Sequence, residues 1–178
     1  MVTDTPLYHF GPTAQILFLG ALVSALPLLW VFWRFRGQGS GALFQRLTWL
    51  MLFLTFDLVL FGSFTRLSDS GLGCPDWPGC YGQATPVGAS VHIQAAQELM
   101  PTGPVTHGKA WIEMVHRYLA TGVGGLILFM CAWAWRMRWR GDRQVSVFWP
   151  TLTLFWVGLQ GAFGALDRKS TRLNSSHL

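Results

Sequence analysis

The residues with the clearest chemical potential lie in one short run, Glu113-Met114-Val115-His116-Arg117. On a helix, residues three and four positions apart share a face, so Glu113, His116 and Arg117 would project together. A neutral imidazole nitrogen can ligate haem iron. An arginine can pair with a haem propionate, and a carboxylate can orient the imidazole or act on a substrate. The structural alternative is a salt-bridged start of a helix with an interfacial histidine.

Two cysteines form a second candidate. Cys74 and Cys80 have five residues between them, in a segment rich in proline and glycine. Tight turns there can bring the two Cα atoms within bridging distance, about 5.5 Å, and a disulfide persists in an oxidising compartment. A pair of cysteines without further ligands is poor evidence for zinc. The spacing therefore predicts a disulfide, with a structural staple favoured over a redox-active pair.

Two further charged residues belong to one apolar segment. Asp57 lies in its middle. An ionisable group at membrane depth is costly and is a functional candidate by default, but it is equally compatible with a neutral side chain hydrogen-bonded between helices. Arg66 closes the same segment at its outer end. There it would either extend to the lipid headgroups or reach an anionic group of a cofactor.

The elements that must position these residues are four apolar segments, at residues 13–33, 47–64, 118–135 and 147–166. A helix needs about 20 residues to cross roughly 30 Å of hydrocarbon. Charged residues make up 12% of the chain and hydrophobic residues 51%, whereas a soluble domain carries about 25% charge. This composition excludes a soluble enzyme and a disordered chain. The predicted fold class is an all-α integral membrane protein with four transmembrane helices.

The distribution of arginines predicts the orientation. The two short loops between these segments carry Arg34, Arg36, Arg46, Arg136, Arg138, Arg140 and Arg143, whereas the interior of the long connection holds only Lys109. The positive-inside rule puts the short loops in the cytoplasm. The long loop, residues 66–116, and the N-terminal tail, residues 1–12, are then outside. No basic run with interleaved aromatic residues suggests a nucleic-acid partner.

Two segments fall outside the apolar pattern. The density of glycine and proline in the outer loop excludes one continuous helix, so we expect a compact cap with a short helix near Val91–Leu99. At the other end, the composition changes abruptly at residues 167–178. From Asp167 to His177 this tail looks like an in-frame translation of a sequencing adapter, and it is excluded from the predicted fold.

These features together resemble one family, the haem A synthases of cytochrome oxidase assembly. The resemblance is carried by residues 65–82, TRLSDSGLGCPDWPGCYG, and residues 108–118, GKAWIEMVHRY. It extends from about Leu47 to Leu166 and includes residues 160–166, QGAFGAL. The combination is far more specific than the Glu-x-x-His spacing alone. It is most similar to the proteobacterial type that retains the cysteines of the outer loop.

The resemblance implies a multi-pass oxidoreductase of the bacterial inner membrane with a periplasmic outer loop. Its reaction would be oxidation of the C8 methyl group of haem O to the formyl group of haem A. The implied family fold has eight helices in two similar four-helix bundles, each with a pair of histidines near the outer face, and the four predicted helices form roughly one of these halves. One half would hold haem b, and the N-terminal half would receive haem O.

The resemblance also implies roles for individual residues. His116 would be an axial ligand of haem iron, Glu113 would take part in catalysis, and Cys74 and Cys80 would be the pair of the outer loop. Assignment of Arg117 and Arg66 to cofactor binding, as partners of the propionates, follows only from their charge and position.

Two departures from the family pattern shape the remaining expectations. The segment 13–33 precedes the matching part and looks like an additional helix. Family members also continue beyond Leu166 into a helix with a second histidine and into the second half. The chain is therefore expected to be an N-terminal-half fragment without the haem b half, and to be inactive alone. Expected partners are haem O, the lipid bilayer, haem O synthase and oxidase assembly factors, with homo-oligomerisation left open.

Two other functions would account for parts of the pattern. A quinone-linked membrane disulfide oxidoreductase would require Cys74 and Cys80 and would dispense with His116. A non-enzymatic assembly factor of the respiratory membrane would show no haem absorbance and would tolerate loss of His116.

Overall fold

The computed structural model describes residues 8–175, which form five helices and two short strands. The helices are α1 (Thr13–Arg34), α2 (Ser40–Leu67), α3 (Ser90–Leu99), α4 (His107–Trp139) and α5 (Phe148–Ser175). The strands β1 (Tyr8–His9) and β2 (Trp77–Pro78) pair in parallel. This pairing ties the segment before α1 to the connection between α2 and α4.

Helix α4 is the centre of the fold, because α1, α2, α3 and α5 all pack on it. Small residues allow α1 to approach it closely: a Cβ at Gly20 would overlap Thr121, and one at Gly122 would lie 3.1 Å from Val23. Close backbone approach through small residues is how transmembrane helices gain contact area. Helix α1 is therefore an integral part of the core.

Helices α2 and α5 both pack on α4 and share no extensive contact within the described residues. They border a groove on α4 that is marked by two cavities. One, of about 850 Å³, lies between the start of α2 and the start of α5. A second cavity of about 610 Å³ lies near the end of α2. The groove offers space to a ligand or to a further helix.

The connection between α2 and α4, residues 68–106, folds as a cap over the ends of α1 and α4. Ile93, on helix α3 within the cap, is fully buried. The core that joins the cap to the helices consists of Ile16, Cys74, Cys80, Ala84, Ala89, Ile93, Ala110 and Met114. The short helix predicted near Val91–Leu99 is confirmed as α3. The cap is thus a packed element rather than an open loop.

Three predicted segments are confirmed as helices that are long and apolar enough to cross a membrane, namely α1, α2 and α4. Helices α2 and α4 begin earlier than the predicted bounds 47–64 and 118–135, because charged residues near their starts, Arg46 in α2 and Lys109, Glu113 and Arg117 in α4, interrupt the apolar runs. The outer connection is correspondingly shorter than the predicted 66–116. Helix α5 begins within one residue of the predicted 147–166 and continues through Ser175, into the excluded tail.

Candidate functional site

The run from Glu113 to Arg117 lies within α4, below the cap, and its spacing brings the three predicted side chains to one face. Helix α4 begins directly after Thr106, whose hydroxyl accepts the N–H of Lys109 at 3.3 Å as an N-cap. This start determines where the three side chains lie along the helix. Glu113, His116 and Arg117 all line the 610 Å³ cavity. The predicted shared face is therefore observed, and it opens onto a space of ligand size.

The cavity brings together parts of the chain that are distant in sequence. Besides α4, residues of α1, α2, the cap and α5 contribute to its wall, among them Ile16, Gly62, Arg66, Trp77, Pro78, Gly161 and Gly164. Cavities of roughly 300–1,000 Å³ are typical of cofactor and small-molecule sites. The size and the mixture of apolar walls with a few charged groups suit an amphipathic ligand.

Glu113 is buried and held from two sides. Its Oε2 accepts the backbone N–H of Cys74 at 2.7 Å. Its Oε1 accepts an N–H of the Arg117 guanidinium at 2.5 Å, and the side chains of Arg117 and Glu113 are only 11% and 6% exposed. A charge in such surroundings is tolerated when it is paired and hydrogen-bonded. The carboxylate is thus fixed in direction at the wall of the cavity.

Arg117 connects that carboxylate to the cap. Its guanidinium also donates to the carbonyl oxygens of Pro78, at 2.9 Å, of Asp76, at 3.2 Å, and of Gly79. These carbonyls lie in the loop closed by Cys74 and Cys80, which form the predicted disulfide with their Cα atoms 4.9 Å apart. One side chain therefore joins α4, Glu113 and the disulfide loop.

Asp76 is a structural residue of this site that the sequence analysis did not identify. It is 1% exposed, and its carboxylate accepts the N–H groups of Tyr81, at 2.5 Å, and Gly82, at 2.7 Å. Aspartate commonly fixes a turn by bonding to backbone N–H groups. The sequence feature that could have identified Asp76 is an aspartate that precedes a glycine in a loop rich in proline and glycine.

His116 faces α2. Its Nε2 lies 2.9 Å from the position that a Cβ on Gly62 would take, and its ring stacks on Phe61 with centroids 6.2 Å apart. Within residues 8–175 no group hydrogen-bonds the imidazole, and no cluster of three or more His, Cys, Asp or Glu side chains is placed to hold a metal ion. The imidazole lines the cavity, and its Nε2 is directed at the backbone of Gly62. A haem brings four ligands of its own and would need only one nitrogen from this histidine, with the imidazole turned from Gly62 toward the cavity.

Arg66 contributes a second cation at the wall of the same cavity. The described residues provide it with no ion pair, unlike Arg117, whose guanidinium is engaged by Glu113 and the cap. Nearby Asp69 pairs instead with Lys109, at 2.9 Å. Of the two arginines, Arg66 has the guanidinium that is open to an anionic group of a ligand.

Asp57 is not part of this site. It is exposed on α2 and does not line either of the two cavities between α2 and α5. Within the described range no side chain forms a hydrogen bond with it, so the interhelical alternative is not observed either. Its position leaves a polar group on the outer surface of an otherwise apolar helix.

Replacing Asp57 with leucine should therefore ease membrane insertion of α2 by about 2–3 kcal/mol, because aspartate near a helix centre is disfavoured by that amount. Binding of a ligand in the cavity should not change. An insertion assay on α2 and absorbance of the purified chain measure the two effects, with Phe56→Leu as a control for an apolar exchange on the same surface. If Asp57→Leu eased membrane insertion as expected but also abolished the absorbance of the bound ligand, Asp57 would have to be counted among the residues of the site.

Comparison with known proteins adds an independent observation. Residues 45–176 match the family described as cytochrome oxidase assembly protein. Helix α1 precedes the matched residues. A curated haem A synthase of Shewanella oneidensis is 42% identical over 124 residues, which cover 67% of this chain and 36% of that protein.

Two further curated relatives are less similar to this chain than the Shewanella protein. A haem A synthase of Rhizobium etli is 30% identical over 130 residues, covering 65% of this chain and 35% of that protein. One of Rhizorhabdus wittichii is 29% identical over 147 residues, covering 73% and 42%. No solved structure matches the chain. The chain spans well under half the length of these relatives, and within that span it belongs to the haem A synthase family of cytochrome oxidase assembly proteins.

Proposed function

We propose that this chain forms the part of a haem A synthase that holds haem O while its C8 methyl group is oxidised to a formyl group. Family membership and relatives named haem A synthase support this function. The observation that carries it is the arrangement of His116, whose Nε2 has no hydrogen-bond partner among the described residues and lies beside a cavity that also contains Glu113 and Arg66.

Each residue of the site has a role that follows from its contacts. His116 would ligate the iron through Nε2, and Arg66 would pair with a propionate. Bound haem O supplies both the iron and the methyl group to be oxidised. Glu113, held at the cavity wall, would accept or return a proton at a carboxylate oxygen.

The contacts of Arg117 favour a different role from that of Arg66. The sequence predicts a propionate partner in both arginines, but the Arg117 guanidinium is engaged by Glu113 and three carbonyls of the cap. We propose that Arg117 positions Glu113 and compensates its charge. Arg66 is then the propionate partner.

The groove between α2 and α5 supports the larger family architecture. We propose that α5 is a fourth membrane span and that a further helix, from sequence corresponding to the longer relatives, fills this groove and brings a second histidine. The second bundle would hold haem b. On this proposal the 178-residue chain binds haem O and does not complete the reaction alone.

The proposed location is the inner membrane, with the cap in the periplasm. Two observations support this orientation: arginines gather at the ends of the helices opposite the cap, and the cap contains a disulfide, which persists in an oxidising compartment. Haem O synthase, oxidase assembly factors and a second copy of the chain remain predicted partners. No observation on the described residues favours a disulfide oxidoreductase or a cofactor-free assembly factor.

Replacing His116 with alanine tests the function directly. The full chain in lipid nanodiscs, titrated with haem O, should give a saturable change in haem absorbance. His116→Ala should weaken that binding by at least roughly 10–100-fold, because loss of even a residue that only orients a metal ligand has an effect of that size. His107→Ala is the matched control, because His107 lies on the same helix but outside the cavity.

Two outcomes would contradict the proposal in different ways. If the unaltered chain gives no saturable absorbance change, this part of the protein does not hold haem O. If His116→Ala binds as tightly as the unaltered chain, the cavity binds haem but His116 is not its ligand.

A further inference from the structure

A third cavity, of about 390 Å³, lies on the surface of the pair formed by α1 and α4, at the end opposite the cap. Its wall consists of Phe32 from α1 and of Phe129, Ala132, Trp133 and Arg136 from α4. The four residues of α4 follow one another at intervals of three, one and three positions, so they lie on one side of the helix. The cavity is therefore an aromatic groove with a cation in the last turn of α4.

The groove lies at the level of a membrane interface. Tryptophans are enriched where the hydrocarbon meets the lipid headgroups. Several exposed tryptophans surround this end of the helices, namely Trp30, Trp33, Trp49, Trp135, Trp139 and Trp149. At this level the guanidinium of Arg136 can extend to the headgroups while the aromatic wall lies at the edge of the hydrocarbon.

The positive charge of Arg136 is not compensated within the described residues. Both ion pairs that the structure describes lie near the cap, and neither includes an arginine of this end. The one carboxylate of the two short loops, Asp142, instead accepts the Ser40 hydroxyl at 2.9 Å and the Gln144 N–H at 3.0 Å. Arg136 is therefore open to an anion from outside the protein.

Trp133 adds a second donor to the wall of the groove. Its ring packs against Phe32, with centroids 5.5 Å apart. The neighbouring Trp135 donates its indole N–H to the Thr151 hydroxyl at 3.0 Å, whereas no acceptor within residues 8–175 receives the indole N–H of Trp133. A partly buried indole N–H usually has a hydrogen-bond partner. The groove thus combines an apolar wall with two donors that a ligand can satisfy.

We propose that this groove binds one anionic phospholipid of the leaflet opposite the cap, with its phosphate on Arg136 and an acyl chain against Phe32, Phe129 and Trp133. A phosphate accepts charge-assisted hydrogen bonds from a guanidinium, and basic pockets between transmembrane helices bind lipid headgroups. A soluble anion would leave the aromatic wall unused, and a neutral apolar molecule would leave Arg136 without a counterion. The inference does not depend on haem binding, because the groove and the 610 Å³ cavity share no residue.

A general attraction between basic residues and anionic lipids is the competing explanation. It would be shared by Arg138, which also lies in the last turn of α4 but does not line the groove. The guanidinium groups of Arg34 and Arg46 lie over the Phe35 ring instead, 5.5 and 5.1 Å from its centroid. A specific site requires a much larger effect at Arg136 than at Arg138.

Lipid binding to the full chain in detergent micelles, counted by native mass spectrometry, tests the inference. We expect one molecule of dioleoylphosphatidylglycerol to bind more tightly than dioleoylphosphatidylcholine, whose phosphate is accompanied by a cation, by about fivefold. Arg136→Gln should weaken binding of the phosphatidylglycerol by about tenfold, the effect of losing a hydrogen bond to a charged group. Arg138→Gln is the matched control, with the same loss of charge, and should stay within about twofold of the unaltered chain.

Ala132→Phe tests the apolar part of the groove without a change of charge. Ala132 is exposed, and a phenyl group there would occupy the space proposed for the acyl chain. Binding of phosphatidylglycerol should fall by at least about fivefold, while the unfolding midpoint in lipid-free detergent stays unchanged. Leu128→Phe, at an exposed position of α4 outside the groove, should bind like the unaltered chain.

Four results would overturn the inference. Equal losses for Arg136→Gln and Arg138→Gln would show a diffuse attraction, and equal binding of the two lipids would show that the headgroup is not recognised. Competition by glycerol 1-phosphate would identify a soluble anion as the ligand. Unchanged binding by Ala132→Phe would place the acyl chain elsewhere. If Arg136→Gln failed to fold, the two lipids on the unaltered chain and the Ala132→Phe variant would still decide the question.

Discussion

Arg117→Gln should lower the free energy of unfolding by about 3–5 kcal/mol, the usual consequence of removing one partner of a buried ion pair. The change withdraws the cation that compensates Glu113, and it also removes donors from three carbonyl oxygens of the disulfide loop. Unfolding of the detergent-solubilised chain, followed by tryptophan fluorescence, measures the loss. We expect the cap to become susceptible to proteolysis before the helices unfold.

Lys109→Gln is the matched control for this prediction. It breaks the other ion pair of the described residues, with Asp69, whose side chain is 84% exposed. Exposed pairs contribute only about 0–1 kcal/mol, so this variant should resemble the unaltered chain. Equal losses for Arg117→Gln and Lys109→Gln would contradict a special role for the buried pair.

Replacing both Cys74 and Cys80 with alanine should lower stability by about 2–3 kcal/mol, the amount expected when a short loop loses its cross-link. Haem O binding should persist, because neither sulfur lines the cavity. Both cysteines are buried, at 1% and 0% exposure, so an external thiol has little access to the disulfide. A staple therefore accounts for the pair better than a redox cycle.

Reduction provides the control for the double cysteine variant. When the unaltered chain is unfolded in the presence of a strong reductant, which reaches the sulfurs once they are exposed, it should show the same loss of stability as the variant. Cys131→Ala leaves the disulfide intact and should respond to the reductant as the unaltered chain does. If the double variant kept its stability but lost haem binding or its contribution to activity, the redox-active alternative would replace the staple.

The sequence predicts those parts of the site that depend on local spacing. The shared face of Glu113, His116 and Arg117 follows from helical geometry, and the disulfide follows from a short loop of tight turns. The apolar segments likewise predict the helices α1, α2, α4 and α5, because length and hydropathy are local properties. The N-terminal turns of α2 and α4 were missed, since hydropathy detects only residues that suit the hydrocarbon.

The parts that escaped prediction depend on contacts between distant segments. Spacing along α4 cannot tell whether Arg117 reaches a propionate or the carbonyls of Pro78 and Gly79. Nor can it place Gly62 against His116, because that contact depends on how α2 and α4 pack. Asp57 shows the same limit. The sequence predicts its position along the apolar segment, but the side of the helix on which it lies relative to the site depends on how the other helices pack.

The partners of Arg117 in the cap are main-chain oxygens, and this has a consequence for sequence divergence. Every residue type carries the same backbone carbonyl group. Residues of the loop can therefore be substituted without loss of these hydrogen bonds, as long as the backbone keeps its conformation. Arginine, in contrast, has no substitute with the same planar set of donors. Chimaeras between relatives should therefore exchange residues 74–117 as one unit, since α4 transplanted without its own loop would meet carbonyls in other positions.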